Sequence, residues 1–205
     1  ADTTSHYWVK RGESVSAKHL AEELWAKTKI YPVAMQFDGT GIGGNIYEQL
    51  VNVPIWVSAA NRSEEAFGPK VETSAGGEIT LTARVEKITI NWDDQKAKDK
   101  YPSDIDYYKA IEKNQMSDNK TIQTCMAHQL ATPYVKTTAY PDGPQTTRSP
   151  SCGHYFRTKG QSTVHVTTTW IGEWQGLGES GVLTQDVEWD SPTFNVYEYT
   201  TRIAE

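Results

Sequence analysis

A cysteine and a histidine lie two positions apart in the segment Ser149–His154 of this 205-residue sequence. Cys152 and His154 could act as nucleophile and general base, provided that the thiol is free. The other cysteine of the chain is Cys125. Two buried free thiols are the alternative, but both cysteines lie beside predicted loops in a β-rich sequence, so we predict a disulfide. It would close a loop of about 28 residues, contribute about 3–4 kcal/mol and remove the nucleophile.

The other groups that could bind a metal or act as a base lack the spacing that such sites need. Asp93 and Asp94 could contribute to a calcium site, but two acids do not make one, and adjacent acids are more typical of a turn. The five histidines form no H-x-x-x-H or H-E-x-x-H set, and the sequence has no C-x-x-C pair and no G-x-S-x-G elbow. The sequence therefore predicts no metal, no cofactor and a protein that is not an enzyme.

The glycine-rich segment 39–44 has the G-x-G-x-x-G spacing of a dinucleotide-binding loop, and Glu64 follows about 20 residues later. A phosphate-binding loop must lead into a helix whose first N–H groups face the phosphate. The run 45–54 is instead short and β-like, and no Gly-Lys-Ser/Thr motif occurs in the chain. We expect this loop to bind no nucleotide.

Composition narrows the classes of partner. The net charge is −6 and the pI is near 5.4, without a basic cluster, which argues against nucleic acid. No apolar run reaches the length of a membrane span. The sequence begins with Ala1 and without a leader, which fits either a processed exported protein or a trimmed segment.

The N-terminal part predicts one helix, and the remainder predicts strands. Residues 1–13 read as flexible. An apolar stripe at helical spacing then follows Ser14 or Ser16, either of which could cap the helix, and Pro32 stops it. The stripe consists of Ala17, Leu20, Ala21, Leu24 and Trp25. We predict that residues 14–70 form a helix and a β extension, that 71–205 form an antiparallel β-sandwich, and that 95–120 are a surface insertion with a short helix.

The strand pattern contains one phase change. Ile79, Leu81, Ala83 and Val85 alternate with polar residues, and the alternation resumes at Ile88 in the opposite phase, so we predict a β-bulge near residues 86–87. A hairpin is predicted at residues 75–77. Further on, we predict strands 162–174 and 182–189 joined by a loop 175–181, and a last strand 194–202.

Two sets of residues resemble the signature ends of PKD-type (polycystic kidney disease) β-sandwich domains. The first is Trp92, Asp93 and Asp94 at the end of a strand; the second is Pro150, His154, Tyr155 and Gly160. The layout from about residue 17 to 200 more closely resembles a group of secreted actinobacterial proteins of unknown function, some of which are labelled ATP/GTP-binding. Three elements carry that resemblance: Val53–Trp56, Ser149–His154 and Thr167–Trp170.

This resemblance implies an exported, Ig-like interaction or spacer domain at the cell surface, with a protein or glycan as partner. A glycan-binding module is the first alternative, because exposed aromatic rings can stack on sugars. The residues expected to form such a surface are Trp170, Trp174, Trp189, Tyr197 and Tyr199. A secreted hydrolase is the second alternative.

Overall fold

The computed structural model describes residues 16–39, 41–61, 63–94, 121–127, 130 and 152–199, and the protein is mainly β. The predicted flexible segment 1–13, the predicted insertion 95–120 and Pro150 lie outside these residues. The described residues contain eleven strands, which form three sheets around a shared core. Nearly all neighbouring strands are antiparallel, which is consistent with the predicted β-sandwich.

Helix α1 spans Ala17–Lys27 and confirms the predicted amphipathic helix. Ser16 caps it, since its hydroxyl accepts a hydrogen bond from the His19 backbone N–H at 3.2 Å. The helix ends at Lys27, well before Pro32, because Thr28 is already extended. Its buried face packs on the largest sheet. A second helix, α2, is the single turn Glu64–Phe67.

The largest sheet contains five strands. They are β4 (Lys70–Thr73), β5 (Ile79–Asn91), β6 (Ile122–Cys125), β9 (His165–Gly176) and β10 (Glu179–Asp190). Their order is β10-β9-β5, and β4 and β6 pair with the other side of β5. The pairing of β5 with β9 shifts between Val85 and Lys87, which confirms the predicted bulge. One extra residue thus keeps both Val85 and Ile88 on the buried face.

The turn between β9 and β10 is shorter than predicted. The strands continue to Gly176 and resume at Glu179, so only Leu177 and Gly178 form the loop. Both have positive φ, 52° and 79°, as a type I′ hairpin requires. The glycine-rich composition of 175–181 suggested a long loop, but Gly181 serves packing instead, because a Cβ there would come within 2.8 Å of the Trp174 ring.

Two smaller sheets complete the fold. One has the order β1-β3-β7, with β1 at Met35–Gly39, β3 at Pro54–Ala59 and β7 at Gly153–Tyr155. The other has the order β2-β11-β8, with β2 at Glu48–Leu50, β11 at Phe194–Tyr197 and β8 at Gly160–Ser162. Asn52, at φ 63°, turns the chain between β2 and β3.

An aromatic cluster joins the three sheets. The Phe37 ring of β1 lies 6.0 Å from that of Trp92 and 5.1 Å from that of Phe194 of β11, both edge-on. A disulfide between Cys125 and Cys152, as predicted, links the end of β6 to the residue before β7. The five-stranded sheet and the β1-β3-β7 sheet are therefore connected both by packing and by a covalent bond.

Candidate functional site

The end of β5 and strand β7 bring together some residues from each of the two PKD-like sequence sets. Trp92 and Asp94 are buried beside His154 and Tyr155. We call these four residues and Arg157 the Asp94–His154 cluster. Gly160 starts the nearby strand β8.

A local turn determines which of the adjacent residues Asp93 and Asp94 has a buried side chain. Asn91 Oδ1 accepts a hydrogen bond from the Asp93 N–H at 3.0 Å, and Asp93 takes a left-handed backbone with φ 51°. Asp93 is consequently exposed, whereas the Asp94 side chain is only 4% exposed. This change of direction was not apparent from the acidic pair in the sequence.

The Asp94 carboxylate is held by two donors. Its Oδ2 lies 2.8 Å from His154 Nε2 and accepts the Arg157 backbone N–H at 3.1 Å. Because a carboxylate can only accept, Nε2 carries the ring proton and Nδ1 has a free lone pair. Within the described part of the chain, Nδ1 has no hydrogen-bond partner. Burial lowers the pKa of His154 below its ordinary value, an effect that Asp94 only partly counters.

Aromatic rings enclose the imidazole. The His154 ring stacks on Trp92 at 5.0 Å between centroids and on Tyr155 at 6.2 Å. Arg157 in turn donates from Nη2 to the Tyr155 hydroxyl at 2.9 Å. The cluster therefore connects the end of β5 to β7 through side-chain contacts in the interior. Its imidazole is only 1% exposed.

A groove of about 370 Å³ lies beside this cluster. Asp94 lines it, together with Asp93, Lys159 and Ser162, whereas His154 does not. The Ser162 hydroxyl donates to the Trp92 carbonyl oxygen at 2.5 Å, so its proton is directed to the backbone and not to a base. The Cys152 sulfur is bonded to Cys125, which removes the Cys–His pair considered above. The described residues also contain no group of three or more His, Cys, Asp or Glu that could hold a metal ion.

The aromatic residues expected on a binding surface divide into two groups. Trp170 and Trp174 are buried, contrary to expectation, because they lie on the face of β9 that packs on the core. Trp189 is partly buried and stacks on Phe37 at 6.3 Å. Tyr197 and Tyr199 are exposed, by 47% and 77%. Any aromatic platform formed by these five residues is thus reduced to the two tyrosines.

A row of polar side chains next to Tyr197 was not predicted. Asn195 donates to Glu48 Oε1 at 2.8 Å and accepts from Gln161 at 3.1 Å, across strands β2, β11 and β8. Hydrogen bonds from Asn195 and Tyr197 lower the pKa of Glu48, and the bond to Glu48 raises the pKa of Tyr197. We call Glu48, Asn195 and Gln161 the polar row. The polar row depends on the parallel pairing of β2 with β11, which no local sequence pattern predicts.

The glycine loop leads into a strand. Ile42 and Asn45 form an isolated bridge, and the Ile42 N–H donates to the backbone carbonyl oxygen of Glu48 at 2.7 Å. The chain then continues as β2, so the helix that a phosphate-binding loop requires does not follow.

Comparison of the chain with protein-family models, curated proteins and solved structures finds no match. The PKD-like and actinobacterial resemblance therefore stays a prediction. Among the described residues, no helix has the length and apolar character needed to cross a membrane.

Proposed function

We propose that this chain is a non-catalytic interaction domain of an exported protein, an Ig- or PKD-like β-sandwich that acts as a spacer or adaptor at the cell surface. The observation that carries the proposal is that the side chains most suited to catalysis contact one another in the interior. Asp94 and His154 form a buried hydrogen bond with each other, and Cys125 and Cys152 form a disulfide. These groups hold strands together, and of the four residues only Asp94 lines the groove described above.

The disulfide supports the proposed location. Structural disulfides form and persist mainly in oxidising compartments such as the periplasm and the cell exterior. The bond between Cys125 and Cys152 lies in the core, where both residues are almost fully buried. A buried bridge of this kind fits a domain that folds outside the reducing cytoplasm.

A substrate panel tests the non-catalytic part of the proposal. Ester, peptide and glycoside substrates with chromogenic leaving groups would be offered to the protein and to the variants Asp94→Asn and His154→Gln. We expect no turnover of any substrate above background by the parent protein or by either variant. Turnover by the parent protein that disappears in a folded Asp94→Asn or His154→Gln variant would place the chain among the hydrolases and overturn the proposal.

Glycan binding is a second candidate, and the polar row favours it. Carboxamide and carboxylate groups in a fixed row can pair with neighbouring sugar hydroxyls, and the exposed Tyr197 ring beside them can stack on a pyranose face. Titration of neutral oligosaccharides, monitored by NMR, tests this. Tyr197→Ala should abolish binding, and Tyr31→Ala is the matched control because Tyr31 is 46% exposed and lies outside the row. Equal binding by the two variants would reject the candidate.

A further inference from the structure

Strand β10 forms a long open edge of the five-stranded sheet. All twelve of its residues pair with β9 in an uninterrupted antiparallel register, and within the described residues no strand pairs with its other side. At the opposite side of the sheet, β4 and β6 each have four residues. β10 is therefore the longest free edge of this sheet in the described part of the chain.

The hairpin geometry identifies the backbone groups on that edge. In a two-residue type I′ hairpin, the residues that flank the loop exchange both of their backbone hydrogen bonds, so Gly176 and Glu179 form such a pair. Since the two kinds of position alternate along the strand, the even-numbered residues of β10 direct their N–H and C=O groups away from β9. All six of these residues are exposed: Ser180, Val182, Thr184, Asp186, Glu188 and Asp190.

Of the usual protections of an open edge, β10 has charged side chains but no proline, no lysine and no bulge. It also contains no arginine. Its charged residues are all acidic: Glu179, Asp186, Glu188 and Asp190. Among the described residues, none of the four pairs with a lysine or arginine; Asp190 contacts His165 at 2.7 Å, and Asp186 accepts from the Thr169 hydroxyl.

This charge pattern discriminates between possible strands. A second copy of β10 would add four more acidic side chains and no lysine or arginine, so no register between two β10 strands places a lysine or arginine opposite an acid. A strand that carries lysine or arginine at alternate positions would instead place opposite charges beside Asp186 and Glu188. Val182, which is 60% exposed, offers an apolar contact near the turn end of the same edge.

We propose that the free edge of β10 is the docking edge for an extended, lysine- or arginine-rich strand of a partner protein, which adds to the five-stranded sheet as a sixth strand. Backbone hydrogen bonds to the six outward residues provide the affinity, and the acidic side chains select basic partners. This inference rests on the proposed function as an interaction domain and names the surface and the chemistry of its partner.

The probe is an end-blocked ten-residue peptide in which lysine alternates with valine and threonine. Its control has the same sequence but is N-methylated at alternate residues, which preserves the charge and removes the N–H groups of one edge. Residue-resolved amide exchange, measured by NMR, gives the decisive readout. We expect the peptide to slow exchange at Ser180, Val182, Thr184, Asp186 and Glu188, while the amides between them, already bonded to β9, change little. Simple electrostatic adsorption would not produce this alternation.

Two protein variants isolate the edge from the fold. Thr184→Pro removes one outward N–H and no bond to β9, so an edge strand accepts it; binding should weaken about tenfold. Thr184→Val keeps the N–H and should bind within about twofold of the parent. If Thr184→Pro does not fold, Glu188→Lys serves instead, because it reverses one exposed charge and should weaken the lysine peptide to a similar extent.

Each outcome is decisive. Equal binding of the methylated and unmethylated peptides, or protection without alternation, would overturn strand addition at β10. Slow exchange at the same amides without peptide, together with a dimeric mass in sedimentation, would assign the edge to a second copy and overturn the basic partner. Neither result would bear on the non-catalytic proposal, which fails only if the substrate panel shows turnover.

Discussion

Replacement of Asp94 by asparagine tests whether the Asp94–His154 cluster stabilises the fold. Asparagine keeps the shape of the side chain and removes its charge. Two hydrogen bonds converge on Asp94 Oδ2, at 2.8 Å from His154 and 3.1 Å from the Arg157 N–H. A hydrogen bond to a charged group contributes about 1.5–3 kcal/mol, against about 0.5–1.5 kcal/mol for a neutral one.

The two bonds together should therefore lose about 2–3 kcal/mol. The neutral amide costs less to bury than the carboxylate, which offsets part of that loss. We expect Asp94→Asn to lower the free energy of unfolding by about 2 kcal/mol. Urea denaturation at pH 7.5, followed by tryptophan fluorescence, measures the change, since Trp92 stacks on His154 within the cluster.

Asp93→Asn is the matched control, because Asp93 is adjacent in sequence and exposed. Its backbone has φ 51°, a conformation that asparagine adopts as readily as aspartate, and its N–H bond to Asn91 does not involve the side chain. The control should change stability by less than about 0.5 kcal/mol. If Asp94→Asn is as stable as the parent, or if the two variants lose the same amount, the cluster does not stabilise the fold as described.

Two further predictions concern His154 and Gly172. Because burial lowers the pKa of His154, the unfolded chain takes up a proton near pH 6.5 that the folded chain does not, so stability falls as the pH drops through that value. The free energy of unfolding should therefore fall by about 1 kcal/mol more between pH 7.5 and pH 5.5 in the parent than in His154→Gln, and an equal pH dependence would contradict this. Gly172→Ala should lower stability by about 1–3 kcal/mol, because its Cβ would lie 2.5 Å from the Trp25 ring of α1. An unchanged melting temperature in Gly172→Ala would mean that Trp25 does not pack there.

Local features of the fold were predictable because each depends on neighbouring residues. The spacing of Ala17, Ala21 and Leu24 defines one face of a helix, and Ser16 is a good cap. The bulge between Val85 and Lys87 follows from the phase change, since only an unpaired residue keeps both apolar sets on one face.

Features that depend on distant pairings could not be predicted in the same way. Strands β2 and β11 have three and four residues and pair in parallel, although almost 150 positions separate them. Short segments of this kind carry little periodic signal. The polar row of Glu48, Asn195 and Gln161 exists only because of that pairing.

The sequence pattern contained four of the five residues of the Asp94–His154 cluster, all except Arg157, and did not predict their arrangement. The resemblance selected Trp92, Asp94 and His154, which the structure brings into contact. It did not indicate that Asp93 faces outward, because that depends on the left-handed backbone at a single residue. Nor did sequence separate the buried Trp170 from the exposed Tyr197, since both are aromatic residues on alternating strands.

Two internal connections, the Asp94–His154 hydrogen bond and the disulfide, lie away from the proposed docking edge and affect how well it is ordered. Each of them is called a tie below. The Asp94–His154 contact and the disulfide both connect the β5–β6 side of the five-stranded sheet to β7 or to the residue before it. β10 lies on the other side of β9, at the far edge of that sheet. The strands beneath the edge are thus fixed from one side while the edge itself stays unoccupied by the described residues. A binding surface that is already ordered loses less conformational entropy on binding. Loss of either tie should therefore weaken strand addition at β10 even though neither tie touches the added strand.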